Sequence, residues 1–172
     1  MFTQASLTDF ERIRNFYWQL IEEMQDEADV IGWKKGIYPE DSFLRDSLAR
    51  GNLYVLQEEE RLIGAVIVNS EYNEGYEGIS WSREWKDEEI LVPHALAITP
   101  GEQGKGIGKI LINDVIALAR KKNKKAVRLD ILGGNIAAAR LYESVGFNFV
   151  EAKNMYYPDT GWARYEMYEL NL

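Results

Sequence analysis

Residues 103–108 read Gln-Gly-Lys-Gly-Ile-Gly, and the three glycines fall where an apolar run hands over to an amphipathic one. Ile90 to Thr99 has the character of a strand, Gly106 to Lys121 turns Ile110, Leu111, Val115, Leu118 and Ala119 to one helical face, and Ala126 to Leu132 is a second strand. The order dictates a β-α-β unit. At such a turn consecutive backbone N–H groups can face one anion at the positive end of the helix, so the turn is expected to hold a phosphate; the plainer alternative is a tight bend that only needs glycine. The spacing misses the dinucleotide fingerprint Gly-x-Gly-x-x-Gly. It also misses the phosphate loop of ATPases, because Ile110 stands where a magnesium-binding Ser or Thr is required.

Upstream, Thr8 to Glu11 fits a capping box, and Phe10, Ile13, Tyr17, Leu20, Ile21 and Met24 follow at helical spacing. Pro39-Glu40-Asp41 opens a shorter helix with Phe43, Leu44 and Leu48, closed by Gly51. Leu53–Leu56 and Leu62–Val68 flank a charged turn, Glu58 to Arg61, as an antiparallel hairpin. Tyr72 to Glu88 has no period and reads as a long surface loop. Downstream, Asn135 caps a helix running to Val145 and ended by Gly146, and Phe147–Glu151 and Ala163–Leu170 close the sheet. The 172 residues suit one domain.

The chain has no cysteine and a single histidine, His94, which leaves no basis for a disulfide scaffold, a thiolate metal site or a cysteine nucleophile, and no metal is expected. A formal net charge of −8 argues against nucleic acid or an anionic membrane as partner. Seven basic residues against one acid, Asp114, lie between Lys105 and Lys125, while Glu22–Asp29 and Glu71–Glu89 are acidic. Arg120, Lys121, Lys122, Lys124 and Lys125 complement a helix C-terminus; Lys105 and Lys109 do not. With no secretion signal and no membrane-length apolar run, the expected location is cytoplasmic.

Leu96-Ala97-Ile98-Thr99-Pro100 followed by Gln103-Gly104-Lys105-Gly106-Ile107-Gly108 resembles the acetyl-CoA motif of the GCN5-related N-acetyltransferases (GNAT), and Asn135 with Ala139, Leu141-Tyr142 and Gly146-Phe147 resembles that family's second motif. The resemblance implies an α+β fold: a mixed, twisted sheet of six to seven strands flanked by about four helices. Within it, residues 1–89 would form an acceptor-binding half, 90–150 the acetyl-CoA core and 151–172 the closing strands. It implies acetyl-CoA as cofactor, released as CoA, and an amine acceptor, small and cationic or peptidic; a homodimer stays open. The pantetheine arm would pair with the exposed edge of Leu96, Ala97 and Ile98, and the pyrophosphate would sit on Gly104 to Lys109 with Lys105 or Lys109 nearby. Asn135 would meet the pantetheine or acetyl end, unless it serves only as a helix cap.

Acyl transfer from a thioester needs a neutral amine, a stabilised oxyanion and a proton for the departing thiolate. Without cysteine, direct attack in a ternary complex is favoured over a covalent relay. The resemblance makes Tyr142 the general acid, the alternative being a packing tyrosine, and puts the oxyanion donor at a strand bulge near Ile98. Asp130 matches a carboxylate used as base in N-terminal acetyltransferases of ribosomal proteins, whose substrate-facing tail Met155-Tyr156-Tyr157-Pro158 also resembles; a structural strand-end carboxylate is the alternative. His94 is the second candidate base. Trp33, Tyr38, Tyr72, Tyr76, Trp81, Trp85, Tyr156 and Tyr157 are the aromatics available for an acceptor cleft, of which a minority should touch substrate, with Glu71, Glu74 and Glu77 adding negative potential. A noncatalytic acyl-CoA sensor and a nucleotide-binding module are the competing readings.

Overall fold

The computed structural model describes residues 1–24 and 31–172; most of the acidic segment Glu22–Asp29 therefore lies outside the described residues. In chain order the elements are β1 (Phe2–Gln4), α1 (Phe10–Glu23), α2 (Asp41–Ala49), β2 (Leu53–Glu58), β3 (Arg61–Asn69), β4 (Ile90–Ile98), α3 (Ile107–Lys121), β5 (Ala126–Leu132), α4 (Ile136–Glu143), β6 (Asn148–Tyr157) and β7 (Gly161–Asn171). The seven strands form one sheet in the order β1-β2-β3-β4-β5-β7-β6. Every neighbouring pair is antiparallel except β4 and β5, which the α3 crossover makes parallel.

Successive side chains of β2 enter opposite layers: Leu53 and Val55 pack with α1 and α2, while Tyr54 and Leu56 pack with α3 and α4. Phe10, Ile13, Tyr17, Leu20 and Ile21 form the buried face of α1, as the helical spacing requires. The capping box sits two residues earlier than Thr8–Glu11, at Ser6–Asp9. Asp9 accepts from the backbone N–H of Ser6 and from its hydroxyl, both at 2.9 Å, within a 3-10 turn (Leu7–Asp9) that leads into α1. Ser6 is the earlier hydroxyl with an acid three residues on, and it captures the turn first. The closing strands also run further than expected. Met155-Tyr156-Tyr157 belongs to β6, whose partners in β7 are Ala163, Trp162 and Gly161, so the segment is a paired strand with only a three-residue turn after it.

The β3–β4 connection is irregular, yet it is anchored on both sides. Tyr76 and Ile79 are buried with Met155, Tyr165 and Met167 in a third apolar cluster. Gly75 lies so close to Met155 that a Cβ there would stand 2.3 Å from its Sδ. Further along, Glu169 of β7 accepts from Arg128 Nε at 2.9 Å, Arg128 donates to the carbonyl of Arg83 at 2.6 Å and lies over the Trp81 ring at 4.4 Å, and Ser82 N–H reaches Glu169 at 3.2 Å. Both charged side chains are buried. Among the described residues, no helix is long and apolar enough to cross a membrane.

Removing one member of a buried ion pair strands the other charge, which costs about 3–5 kcal/mol. Glu169→Ala is therefore expected to lower the unfolding free energy by that amount in urea melts. The paired replacement Arg128→Met with Glu169→Leu should recover most of the loss.

Candidate active site

β4 and β5 pair at two positions only, Ile90 with Ala126 and Leu91 with Val127. Beyond them β4 stays with β3 as far as Ile98, and β5 stays with β7 as far as Leu132. The strands part toward their carboxyl ends, and a cavity of about 470 Å³ fills the wedge. Its walls include β4 from Pro93 to Ile98, β5 from Leu129 to Leu132, the glycine turn and one face of α4 from Ala137 to Tyr142. This is where open α/β sheets place their ligands.

At one end of the cavity α3 begins on Gly106, in the left-handed region at φ 83°, with no side-chain cap and no acid in its first turn. Ile110 N–H, bonded to the Gly106 carbonyl at 3.1 Å, closes the first helical turn, so the preceding amides keep their donors. Gly104 shares the left-handed conformation at φ 74°, and a Cβ at either glycine would meet nothing within 4 Å. The requirement is for backbone shape beside open space, which suits an anion. Gly108 differs, because a Cβ there would stand 3.1 Å from Leu141 Cδ2, so it lets α3 and α4 close on one another. Gln103 ties the turn to the strand end by donating to the Ile98 carbonyl at 3.3 Å. Lys109 lines the cavity; Lys105 and Ile107 do not, and the Lys105 ammonium is held by Glu102 at 3.2 Å.

β4 carries a bulge at Ala95 and Leu96, which together oppose Val66 alone, two to three residues before Ile98. Ala95 adopts φ 48°, a strained conformation for a residue with a Cβ, and its carbonyl accepts the buried Tyr17 hydroxyl at 2.7 Å. Leu96, Ala97 and Ile98 follow on the cavity wall. Across the wedge the Asn135 side chain accepts from Ala138 N–H at 3.0 Å, which is a helix cap at the cavity edge.

Tyr142 sits on the buried face of α4, its ring against Phe147 at 5.5 Å. Burial, with the Asp130 charge, pushes its phenol well above the usual range and keeps it protonated. Its hydroxyl makes no hydrogen bond among the described residues and its side chain lines the cavity. Asp130 accepts from Tyr76 at 2.8 Å and from Tyr157 at 3.1 Å. Burial raises its carboxyl above the ordinary value, while the two phenols pull the other way. His94 also faces the cavity, but its Nε2 is engaged with Asn69 Oδ1 at 2.8 Å, and burial drives its imidazole down to about 4.

Of the eight aromatics, Trp33, Tyr38 and Tyr157 line the cavity and Tyr76 supports Asp130 from behind. Tyr72, Trp81, Trp85 and Tyr156 do not line it, and neither do Glu71, Glu74 and Glu77; Glu71 pairs with Arg50 at 2.8 Å. The negative potential comes instead from Asp130 and from Asp159 in the β6–β7 turn. With Tyr165, Asp159 is a lining residue that sequence reasoning passed over. Pro158-Asp159-Thr160-Gly161 signals a turn, and nothing local says which way it folds.

Residues 10–147 match the model of the acetyltransferase (GNAT) family. A ribosomal protein bS18-alanine N-acetyltransferase of Haemophilus influenzae is 27% identical over 165 residues, spanning 94% of this chain and 90% of that one. The Escherichia coli protein of the same name is 35% identical over 65 residues, 38% of this chain, which spans only 44% of that relative's length. A phosphinothricin acetyltransferase of Sinorhizobium meliloti, solved in complex with acetyl-CoA, superposes with a TM-score of 0.70 over 100% of this chain and 88% of that one; at 18% identity the likeness concerns the fold.

The raised Asp130 carboxyl has a consequence for stability. The folded chain binds that proton more tightly than the unfolded one, so stability falls as pH rises from the unfolded carboxylate value, near 3.9, through the folded one. Asp130→Asn should therefore stabilise the protein by about 1 kcal/mol at pH 7 and lose the advantage below pH 4 in thermal melts.

Proposed function

The chain belongs to the acetyltransferase (GNAT) family, and on that premise we propose that it transfers an acetyl group from acetyl-CoA to a primary amine by direct attack in a ternary complex. The observation that carries this reading is the convergence of three unlike features on one wedge. They are an uncapped helix start with open glycines, an unpaired strand edge, and a protonated phenol lining the same cavity as a half-buried carboxylate.

The residues present fit the donor. Gly104, Gly106 and Lys109 offer amide donors and a positive charge for the pyrophosphate, and the β4 edge from Leu96 to Ile98 offers backbone groups to an extended amide arm. Gln103 holds that edge and the turn in register, Gly108 acts through packing, and Asn135 stands where the arm would end. Lys105, Ile107 and their neighbours support the turn from outside. Acetyl-CoA supplies an activated thioester carbonyl.

Asp130 is the preferred base. Its raised carboxyl is the better proton acceptor for an ammonium that must lose a proton before attack, and Tyr76 and Tyr157 fix its orientation. His94, at about 4 and already bound to Asn69, is a weaker candidate. With acetyl-CoA bound, the neutral amine nitrogen would attack the thioester carbon as the carbon–sulfur bond breaks; Tyr142 would give its proton to the departing thiolate, and its phenolate would take up the second proton that the nitrogen loses as the amide forms. The backbone at the Ala95–Leu96 bulge, freed from regular pairing, is the candidate oxyanion donor. The relatives named for a ribosomal-protein alanine support an amine acceptor without identifying this chain's own.

Thiol release from acetyl-CoA in the presence of small amines and peptides tests the proposal. Amine-stimulated release supports it, whereas tight acetyl-CoA binding with no stimulated release would mark a sensor. Tyr142→Phe is expected to lower turnover about 100- to 10,000-fold with the acetyl-CoA dissociation constant nearly unchanged, because the ring packs while the hydroxyl delivers the proton. Wild-type turnover in a folded variant would return Tyr142 to a packing role.

A further inference from the structure

The end of the cavity opposite the glycine turn contains a second carboxylate for which the mechanism above has no use. Asp159 is only 5% exposed, lines the same cavity as Asp130 and forms no ion pair among the described residues. The exposed Lys34 lies within electrostatic reach of it but outside salt-bridge distance. Both carboxylates act on the phenols of Tyr38 and Tyr165, which places the two acids around one small aromatic chamber. Two segments distant in sequence meet beside it: Gly32, at φ 73°, sits so near Thr160 that a Cβ would stand 2.4 Å from Cγ2. Thr160 in turn shares a hydrogen bond of 2.7 Å with Tyr165.

The backbone N–H groups of Asp159 and Thr160 reach this carboxylate, yet neither carries a full charge, so a cation is the partner it still lacks. One ammonium satisfies one carboxylate, and Asp130 is taken by the attacking amine. We infer that Asp159 binds a second cationic group of the acceptor, so that the acceptor is a small aliphatic dication with its far ammonium held by Asp159 among Tyr38 and Tyr165. The inference rests on the acetyl-transfer reading and deepens it. The approach of Gly32 to Thr160 narrows the chamber beside Asp159, which suits a slim free amine better than a peptide chain. Neutral phenols against an ammonium add cation–π attraction without further charge. Asp159 is thus a specificity-determining residue; the reacting atoms stay at Asp130 and Tyr142.

The test is a kinetic comparison of linear diaminoalkanes, from diaminopropane to diaminohexane, with n-alkylamines of equal length and with short peptides. The wild type should prefer at least one diamine over its matched monoamine by about 10- to 100-fold in kcat/KM, the scale of a desolvated charge pair. Asp159→Asn should remove that preference by raising the diamine KM far more than the monoamine KM. Equal wild-type use of diamines and monoamines overturns the inference whether or not the variant folds. Turnover of peptides with no small amine accepted overturns it too, and leaves acetyl transfer intact. Acetyl-CoA binding without thiol release for any amine or peptide overturns both.

Discussion

Two residue pairs hold β4 beside β5, Ile90 with Ala126 and Leu91 with Val127, and after them the strands separate. Backbone groups that a continuous sheet would consume are left facing a cavity, which in a buried setting is tolerable only if a ligand or water engages them. The separation is sustained from both sides. β4 is drawn to β3 and bent by the Ala95–Leu96 bulge, which Tyr17 of α1 fastens by its hydroxyl, while β5 follows β7 over its whole length. The parallel crossover through α3 then places the start of a long helix at the mouth of the wedge. Edge, bulge and helix start are three results of one topological event.

The electrostatics follow from the same opening. Asp130 lies between the apolar Leu129 and Ile131 of β5, and because β4 has moved away its carboxylate faces cavity instead of core. A lone carboxylate there is unstable, and the fold offsets this with hydroxyls from remote segments: Tyr76 from the β3–β4 connection and Tyr157 from the end of β6. The connection is in turn held by the Arg128–Glu169 pair and by Gly75 against Met155. Structure far from the reacting atoms is therefore spent on keeping one acid poised.

The parts of this arrangement that are local in sequence were legible in it. A strand, three glycines, an amphipathic helix and a second strand define the β-α-β unit within one continuous stretch, Ile90 to Leu132, and α1, α2 and the β2–β3 hairpin follow their periodicities. What escaped depends on distant contacts or on competition between near-equivalent local choices. Ser6 and Thr8 both offer a capping hydroxyl with an acid three residues on, and it is Ser6 that pairs with its acid, Asp9. Tyr76 is 54 residues from Asp130 in sequence, so no window joins them. Lys105 and Lys109 look alike beside the glycines, yet the acid at Glu102 claims the first. His94 has the right ordinary pKa for a base, and burial removes it from that range. Asp159 is visible only as a turn residue until β6 and β7 are seen to fold its turn beneath Gly32.

The wedge as an acetyl-CoA site is tested most directly by amide hydrogen exchange with and without acetyl-CoA. The account requires new protection at the unpaired β4 edge from Leu96 to Ile98 and at the first amides of α3 from Ile107 to Lys109, with the β1–β2 edge unchanged. Acetyl-CoA that binds while leaving both segments at their free exchange rates, or that protects another part of the surface instead, would contradict it.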